Sequence, residues 1–226
     1  VGAGRAGFLA PEGAAARPPE VASANWLAPA CLVARLVRDG VLVDIGSTTT
    51  DIVPLRGGEV SAAGSSDAER LDAGELVYQG LTRTAVMAIA PRAPVAGRWR
   101  PLMNELFATS ADLWRLRGGL DQHPAADGGP KTPEGSARRL ARMVGQDLGD
   151  ADLAAWRALA AWLAEAQLRK IADGLHQVLS RAGLPAEAPL VGAGCGRFLV
   201  AELARRVDRP WRDLAALLPA EPQLPA

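Results

Sequence analysis

The segment Val41–Leu55, VLVDIGSTTTDIVPL, constrains this chain more than any other. Two short runs rich in β-branched and apolar residues, 41–45 and 51–55, flank Gly46-Ser47-Thr48-Thr49-Thr50, and the whole reads as a β-hairpin with a hydroxyl-rich tip. Such a tip gathers backbone N–H groups and side-chain O–H donors in one small volume, which suits phosphate oxygens. Asp44 and Asp51 frame it. A carboxylate cannot usefully touch a phosphate, so the acids make sense if Mg²⁺, keeping several waters, is held through Asp44 or Asp51. The plainer reading is a surface hairpin whose hydroxyls satisfy the turn, but two acids around this tip exceed what a turn requires.

A second signal lies in PLVGAGCGRFLVAELARR, residues 189–206. Strand, glycine turn and helix follow one another, so Gly192, Gly194 and Gly196 would admit a ligand close to the backbone or aim a helix N-terminus at an anion. The dinucleotide fingerprint fails, because its third glycine position is Arg197 and too little chain follows for the acidic ribose partner. No Gly-Lys-Ser/Thr follows any glycine loop, which removes the P-loop reading as well. Cys195 reads as a small packed residue rather than a nucleophile, since no histidine neighbours it in sequence.

Between these segments, residues 74–84 place Glu75, Tyr78, Arg83 and Thr84 among apolar neighbours. Arg83 is either an anion clamp or one half of a structural ion pair, because its fork matches a carboxylate or diphosphate equally well. Asp121, His123 and Asp127 occupy a Gly/Pro-rich connector, 118–135, where a metal is one reading and solvated loop residues the plainer one. Asp112 and Arg115 stand at i, i+3 on an expected helix 110–117 and read as a surface pair. Arg138, Arg139 and Arg142 read as a solvated basic face of a helix over 136–144. Trp156 and Trp162 read as core or interface on a long helix over 152–181, with Gly174 its weak point. The opening residues 1–9 read as a strand, 11–19 as a loop, 21–37 as a helix with Pro29 in its first turn or at a kink, 91–101 as loop or edge, and 215–226 as a polar tail.

Composition narrows the partners. The 25 basic and 25 acidic residues cancel, so the field offers no reason to expect nucleic acid. The longest uncharged run, 21–34, contains Ser23, Asn25 and Pro29 and falls short of the roughly 18 apolar residues a membrane span needs. Cys31 and Cys195 alone, with no visible signal peptide, fit a reducing compartment, and the cytoplasm is expected. The chain opens at Val1, inside what reads as a strand, and is expected to be a piece of a longer protein.

A hairpin phosphate loop followed much later by a strand–glycine–helix loop is the order found in actin, sugar kinases and heat-shock chaperone ATPases. The hydantoinase and oxoprolinase proteins resemble that superfamily, and DIGSTTTD at Asp44–Asp51 is similar to their phosphate loop. AGRAGFLAPE (3–12), VASANWLA (21–28), RLDAGELVYQGLTRTAV (70–86), ATSADLWRLRGGL (108–120), DQHPAADG (121–128) and SARRLARMVGQD (136–147) are similar to the tetrahydromethanopterin-linked one-carbon transfer pathway proteins. That hydantoinase-like group includes the condensing synthase of methanofuran and methylofuran biosynthesis. The resemblance implies an α/β, actin-like, ribonuclease-H-like fold, here without the earlier Asp-Ile-Gly-Gly hairpin of an amino-terminal subdomain. It implies a transferase in which the phenol of γ-glutamyltyramine displaces diphosphate from an aminomethyl-furan methyl diphosphate, with small-molecule partners and neither nucleic acid nor membrane. On that reading Gly46, Ser47, Thr48, Thr49 and Thr50 bind phosphate, Asp44 and Asp51 act in catalysis and hold Mg²⁺, and Gly192, Gly194 and Gly196 line the opposite wall. Glu75, Arg83 and Thr84 then meet substrate. An ATP-dependent ring-opening or kinase-like enzyme is the alternative, which leaves open whether ATP or a diphosphate ester occupies the loop, and a non-catalytic nucleotide-sensing subunit is the other. Loss of half a cleft would expose apolar interface, so a dimeric or aggregating piece is expected.

Overall fold

The computed structural model describes Ala10, Gly13 and residues 25–119 and 124–218. The expected opening strand 1–9, most of the Pro-rich loop 11–19, the start of the helix at 21–24, Asp121, His123 and the tail beyond Leu218 lie outside the described residues. The chain is mixed α/β and divides into two compact units, Val1–Ile45 with Asp51–Val77 and Asp173–Ala226, and Gly46–Thr50 with Tyr78–Ala172.

The first unit is built on a sheet. The helix α1 (Leu27–Val37) keeps Pro29 in its first turn, where the missing N–H costs nothing, and Arg38 ends it at φ 58°. The strands β1 (Gly40–Ile45) and β2 (Thr50–Arg56) follow, then β3 (Glu59–Val60), the helix α2 (Asp67–Asp72) and β4 (Leu76–Val77). Only four residues separate β1 from β2, too few for a parallel crossover, so they form the expected hairpin. Ser66 caps α2 in a reciprocal capping box with Glu69.

The strand β7 (Leu190–Ala193) pairs with β1 in parallel, Asp44 opposite Ala193, and β8 (Trp211–Asp213) pairs in parallel with β7. The sheet order is β3-β2-β1-β7-β8, with β4 on β2. Trp26, Ala30, Val33 and Ala34 from α1 and its N-cap cover Leu42, Val53, Leu55, Val191 and Ala193 on one face.

The second unit is organised around helices. The hairpin of β5 (Arg92–Val95) and β6 (Arg98–Pro101) precedes the helices α3 (Ser110–Leu116), α4 (Pro133–Met143) and α5 (Leu153–Ala182), whose residues up to Ala172 belong here. Thr132 caps α4 by accepting from Gly135 N, with Pro133 in the first turn, and Asp152 Oδ1 accepts from Ala155 N at the start of α5. Leu113, Leu116, Leu140, Met143, Trp156, Leu159 and Leu163 form its core, which places Trp156 as expected, with Trp162 packed against it.

One expectation is resolved and three change. Of the two readings of residues 91–101, loop or edge, the structure has the second in the form of a two-stranded hairpin, turning at Ala96 and Gly97, both with positive φ. Gly174 does not break α5, which runs through it: a Cβ there would come within 2.8 Å of the Val77 side chain, so the glycine permits close packing inside the first unit. Asp112 and Arg115 are buried rather than a surface pair, and Arg139 is buried between Asp112 and Asp127 while Arg138 and Arg142 stay exposed. Burial of these charges is possible because each guanidinium finds the one carboxylate. The chain closes with α6 (Phe198–Arg206) and α7 (Leu214–Leu217) in the first unit.

Candidate functional site

In the second unit the tip Gly46–Thr50 rests on residues 79–84. Gly46 N donates to Thr49 O at 2.9 Å, Leu81 N to Gly46 O at 2.9 Å, and Thr82 N and Arg83 N both donate to Ser47 O. Thr50, 0% exposed, donates its hydroxyl to Gln79 O at 2.7 Å. A Cβ on Gly80 would lie 2.4 Å from Thr48 N and from Thr48 C, so only glycine lets the tip settle here. The Gly80 carbonyl in turn accepts from Thr84 Oγ1, Ser110 Oγ and Gln167 Nε2 at 3.2, 2.9 and 2.8 Å, and Trp114 Nε1 donates to Gln167 Oε1. The loop is thus braced from behind.

What the bracing leaves over is a set of donors. Among the described residues, the N–H groups of Ser47, Thr48 and Thr49 and the hydroxyls of Thr48 and Thr49 have no protein acceptor. Arg83 fastens its guanidinium to Ser47 Oγ through Nε at 3.2 Å and Nη2 at 2.8 Å, and no carboxylate pairs with it among the described residues. This resolves the open reading of Arg83: it is a cation placed beside the loop rather than half of an ion pair. Successive free N–H groups, two hydroxyls and one guanidinium make an arrangement that can hold an anion such as phosphate.

In the first unit, the two stem acids differ. Arg70 Nη1 donates to Asp51 Oδ1 at 2.9 Å, while Arg70 Nη2 donates to Glu75 O and the guanidinium lies 4.0 Å from the centre of the Trp26 ring. Burial still holds the Asp51 carboxyl above its ordinary range, with Arg70 opposing it. Asp44 is raised too, first by burial and then by the like charge of Asp51, and among the described residues nothing donates to its carboxylate. A cation would relieve both effects. The donor set therefore fits Mg²⁺ held through Asp44 with waters completing its shell, while Asp51 is already engaged. Among the described residues no group of three or more His, Cys, Asp or Glu could cage a metal by itself.

Other residues singled out in the sequence serve the architecture. Glu75, 0% exposed, accepts from Ala63 N, Gly64 N and Arg181 Nη2, so its oxygens are spent inside the first unit rather than facing a substrate. Thr84 is buried with its hydroxyl on Gly80, and Tyr78 is exposed. The glycines in and after β7 answer to packing: Gly192, within the strand, faces Arg197 O and Val200, Gly194 (φ +77°) lies against Asp44 and Ile45, and Gly196 lies against the Ile45 side chain and donates to Ile45 O. They seat the turn on the end of β1. Burial raises the Cys195 thiol, and its Sγ lies 3.6 Å from Ile45 O, as expected of a packed cysteine. Asp127 is engaged by Gly129 N and Arg139. Sequence reasoning missed Gly80 and Arg70. An isolated glycine three residues after a short strand was the available signal for the first, and nothing local marks the second.

The hydantoinase/oxoprolinase family model matches residues 4–211. The chain is 36% identical over 145 residues to the (4-{4-[2-(gamma-L-glutamylamino)ethyl]phenoxymethyl}furan-2-yl)methanamine synthase of Methanocaldococcus jannaschii, covering 62% of this chain and 44% of the relative. It is 32% identical over 115 residues to the protein of the same name from Methanococcus vannielii, covering 48% of this chain and 50% of that one. The chain thus spans about half the length of the curated relatives it matches.

Proposed function

Because the chain belongs to the hydantoinase/oxoprolinase family, we propose that the protein it comes from is a synthase of the same kind as these relatives. The reaction joins the phenol of γ-glutamyltyramine to the furan-methyl carbon of an aminomethyl-furan methyl diphosphate. The phenol oxygen forms the new C–O bond, the bond from that carbon to diphosphate breaks, and diphosphate and the phenolic proton are released. The name of these relatives describes a product with this phenoxymethyl-furan ether.

A furan-methyl carbon supports developing positive charge, so the protein's main task is to stabilise the departing diphosphate. The observation that carries the reading is the braced loop with three free N–H groups, at Ser47, Thr48 and Thr49, and Arg83 beside it. In the second unit these donors and the hydroxyls of Thr48 and Thr49 bind phosphate oxygens, and Ser47 positions Arg83. In the first unit Asp44 would hold Mg²⁺, with Asp51 kept in place by Arg70. A divalent ion held there would supply positive charge of the kind that suits a departing oxyanion. The fold reading that goes with this is actin-like and ribonuclease-H-like, supported by a sheet in which the strands β3-β2-β1 continue into the parallel β7 and β8. Among the described residues no helix is long and apolar enough to cross a membrane, and a cytoplasmic enzyme acting on small molecules is the corresponding proposal.

The test uses the protein at its full encoded length with Mg²⁺, γ-glutamyltyramine and the furan-methyl diphosphate, with ATP in a parallel sample. Ether product and released diphosphate without ATP consumption support the synthase. ATP hydrolysis with no ether would move the protein to the ring-opening or kinase-like class.

A further inference from the structure

A cleft of about 270 Å³ in the second unit is lined by Met103, Phe107, Arg142, Gly145, Gln146 and Asp147. It forms where α4 ends. Gly145 takes φ +70° and donates to Arg142 O, and Gln146 N turns back to Ala141 O, which closes the helix and brings residues 145–147 out of its line. Met103 N is tied to Met143 O, and a Cβ on Gly145 would meet the Met103 methyl at 2.9 Å, so the glycine leaves room for the thioether.

The chemistry of the lining is mixed in a specific way. The Arg142 guanidinium stands 5.0 Å over the Phe107 ring and has no acceptor among the described residues. Gln146 Oε1 is buried and has no donor. Native structures leave few buried acceptors unpaired, and such an atom points to an absent partner. Asp147 adds a carboxylate, and the helix C-terminus adds the negative end of its dipole. A simple anion would satisfy Arg142 but leave Gln146 Oε1 unpaired and face Asp147. A simple amine would satisfy Gln146 and Asp147 but leave Arg142 idle.

The complementary ligand carries a carboxylate and an ammonium a few bonds apart on a short apolar stem: an α-amino carboxylate. Ligand pockets for larger molecules run from roughly 300 Å³ upward, so this cleft suits one amino-acid unit. We infer that the Arg142–Gln146–Asp147 cleft binds a zwitterionic α-amino-acid group, with the carboxylate on Arg142, the ammonium on Gln146 Oε1 and Asp147, and the stem over Phe107 and Met103. Under the reading proposed above, which this clause alone rests on, that group is the glutamyl end of the phenolic substrate; a free amino acid presents the same chemistry.

Calorimetric titration of the full-length protein, without the furan diphosphate, tests this with γ-glutamyltyramine, L-glutamate and tyramine. Binding of either of the first two is expected, with tyramine at least about tenfold weaker. Arg142→Gln, at an exposed position, and Gln146→Leu should each weaken that binding at least about tenfold, roughly the loss of one charge-assisted contact. Preference for γ-glutamyltyramine over L-glutamate identifies substrate as the source, and the reverse identifies a free amino acid. No binding of either ligand, equal binding of tyramine, or unchanged affinity in both variants overturns the inference. Since no turnover is read, loss of the synthase reading and loss of this site give different results.

Discussion

Arg70 Nη1 and Asp51 Oδ1 lie 2.9 Å apart, and the arginine is only 1% exposed. A buried guanidinium held by one carboxylate, one backbone carbonyl and one indole face fixes where Asp51 stands. Removing one partner of a buried pair leaves the other uncompensated, so Arg70→Met should destabilise the protein by about 3 kcal/mol, read as a lower urea midpoint. A midpoint shift corresponding to under about 1 kcal/mol would mean that the pair behaves as an exposed one.

Asp44 should be a liability to the fold at neutral pH. A carboxyl whose pKa is raised in the folded state favours folding while protonated; that contribution is full below the ordinary 3.8 and is lost as pH rises through the raised value. Asp44→Asn should therefore melt higher than the parent at pH 7 in chelator-treated buffer, and the difference should close as pH falls toward 3.8. Turnover of the full-length protein should be lost in the same variant. Added Mg²⁺ should raise the melting temperature of the parent and not of the variant. A variant that melts lower than the parent at pH 7 contradicts the burial and like-charge origin of the shift.

Gly80 holds the Gly46–Thr50 loop from beneath. An alanine Cβ would press on the Thr48 backbone at 2.4 Å, and backbone cannot step aside as a flexible side chain can. Gly80→Ala should cost about 1–3 kcal/mol of stability. It should also weaken inorganic diphosphate binding by at least about tenfold, or ~1.4 kcal/mol. Urea melts and calorimetry of the full-length protein measure the two. Loss of stability with full diphosphate affinity would separate the loop from the anion.

Features set by local pattern were legible in the sequence. The β1–β2 hairpin, α3, α5 and the strand–turn–helix at Leu190–Arg206 follow from alternation, helical spacing and glycine placement, and each has nearly its expected bounds. The β5–β6 hairpin was not legible, because Pro91, Pro94 and Pro101 mask its strand character and its turn places Ala96 at an unfavourable positive φ. The loop as a donor cluster was visible in its hydroxyls, but not the fact that Thr50 is spent on Gln79. Nor could spacing show that Gly194 and Gly196 accommodate Asp44 and Ile45, since that contact joins segments about 150 residues apart along the chain. Buried charge is hardest to read. Arg70 and Asp51 are 19 positions apart and Arg139 and Asp112 are 27 apart, so no local window pairs them.

Asp112 provides the strongest stability test, because one fully buried carboxylate serves two arginines. Its Oδ1 accepts from Ser136 Oγ at 2.8 Å, Arg139 Nε at 2.9 Å and Arg115 Nη1 at 3.4 Å, and its Oδ2 accepts from Thr109 N at 3.1 Å. Asp112→Asn keeps the shape but removes the charge that both guanidiniums share and turns one acceptor into a donor facing other donors. The expected loss is about 3–5 kcal/mol. Arg115→Met should cost much less, since Arg115 Nε and Nη2 already lack partners and an apolar chain of similar length removes two orphaned donors. Urea denaturation of the two variants side by side checks the order. Equal losses would show that Arg115 and Asp112 act as a matched pair, and a loss below about 1 kcal/mol for Asp112→Asn would return the aspartate to the surface role that its i, i+3 spacing alone suggests.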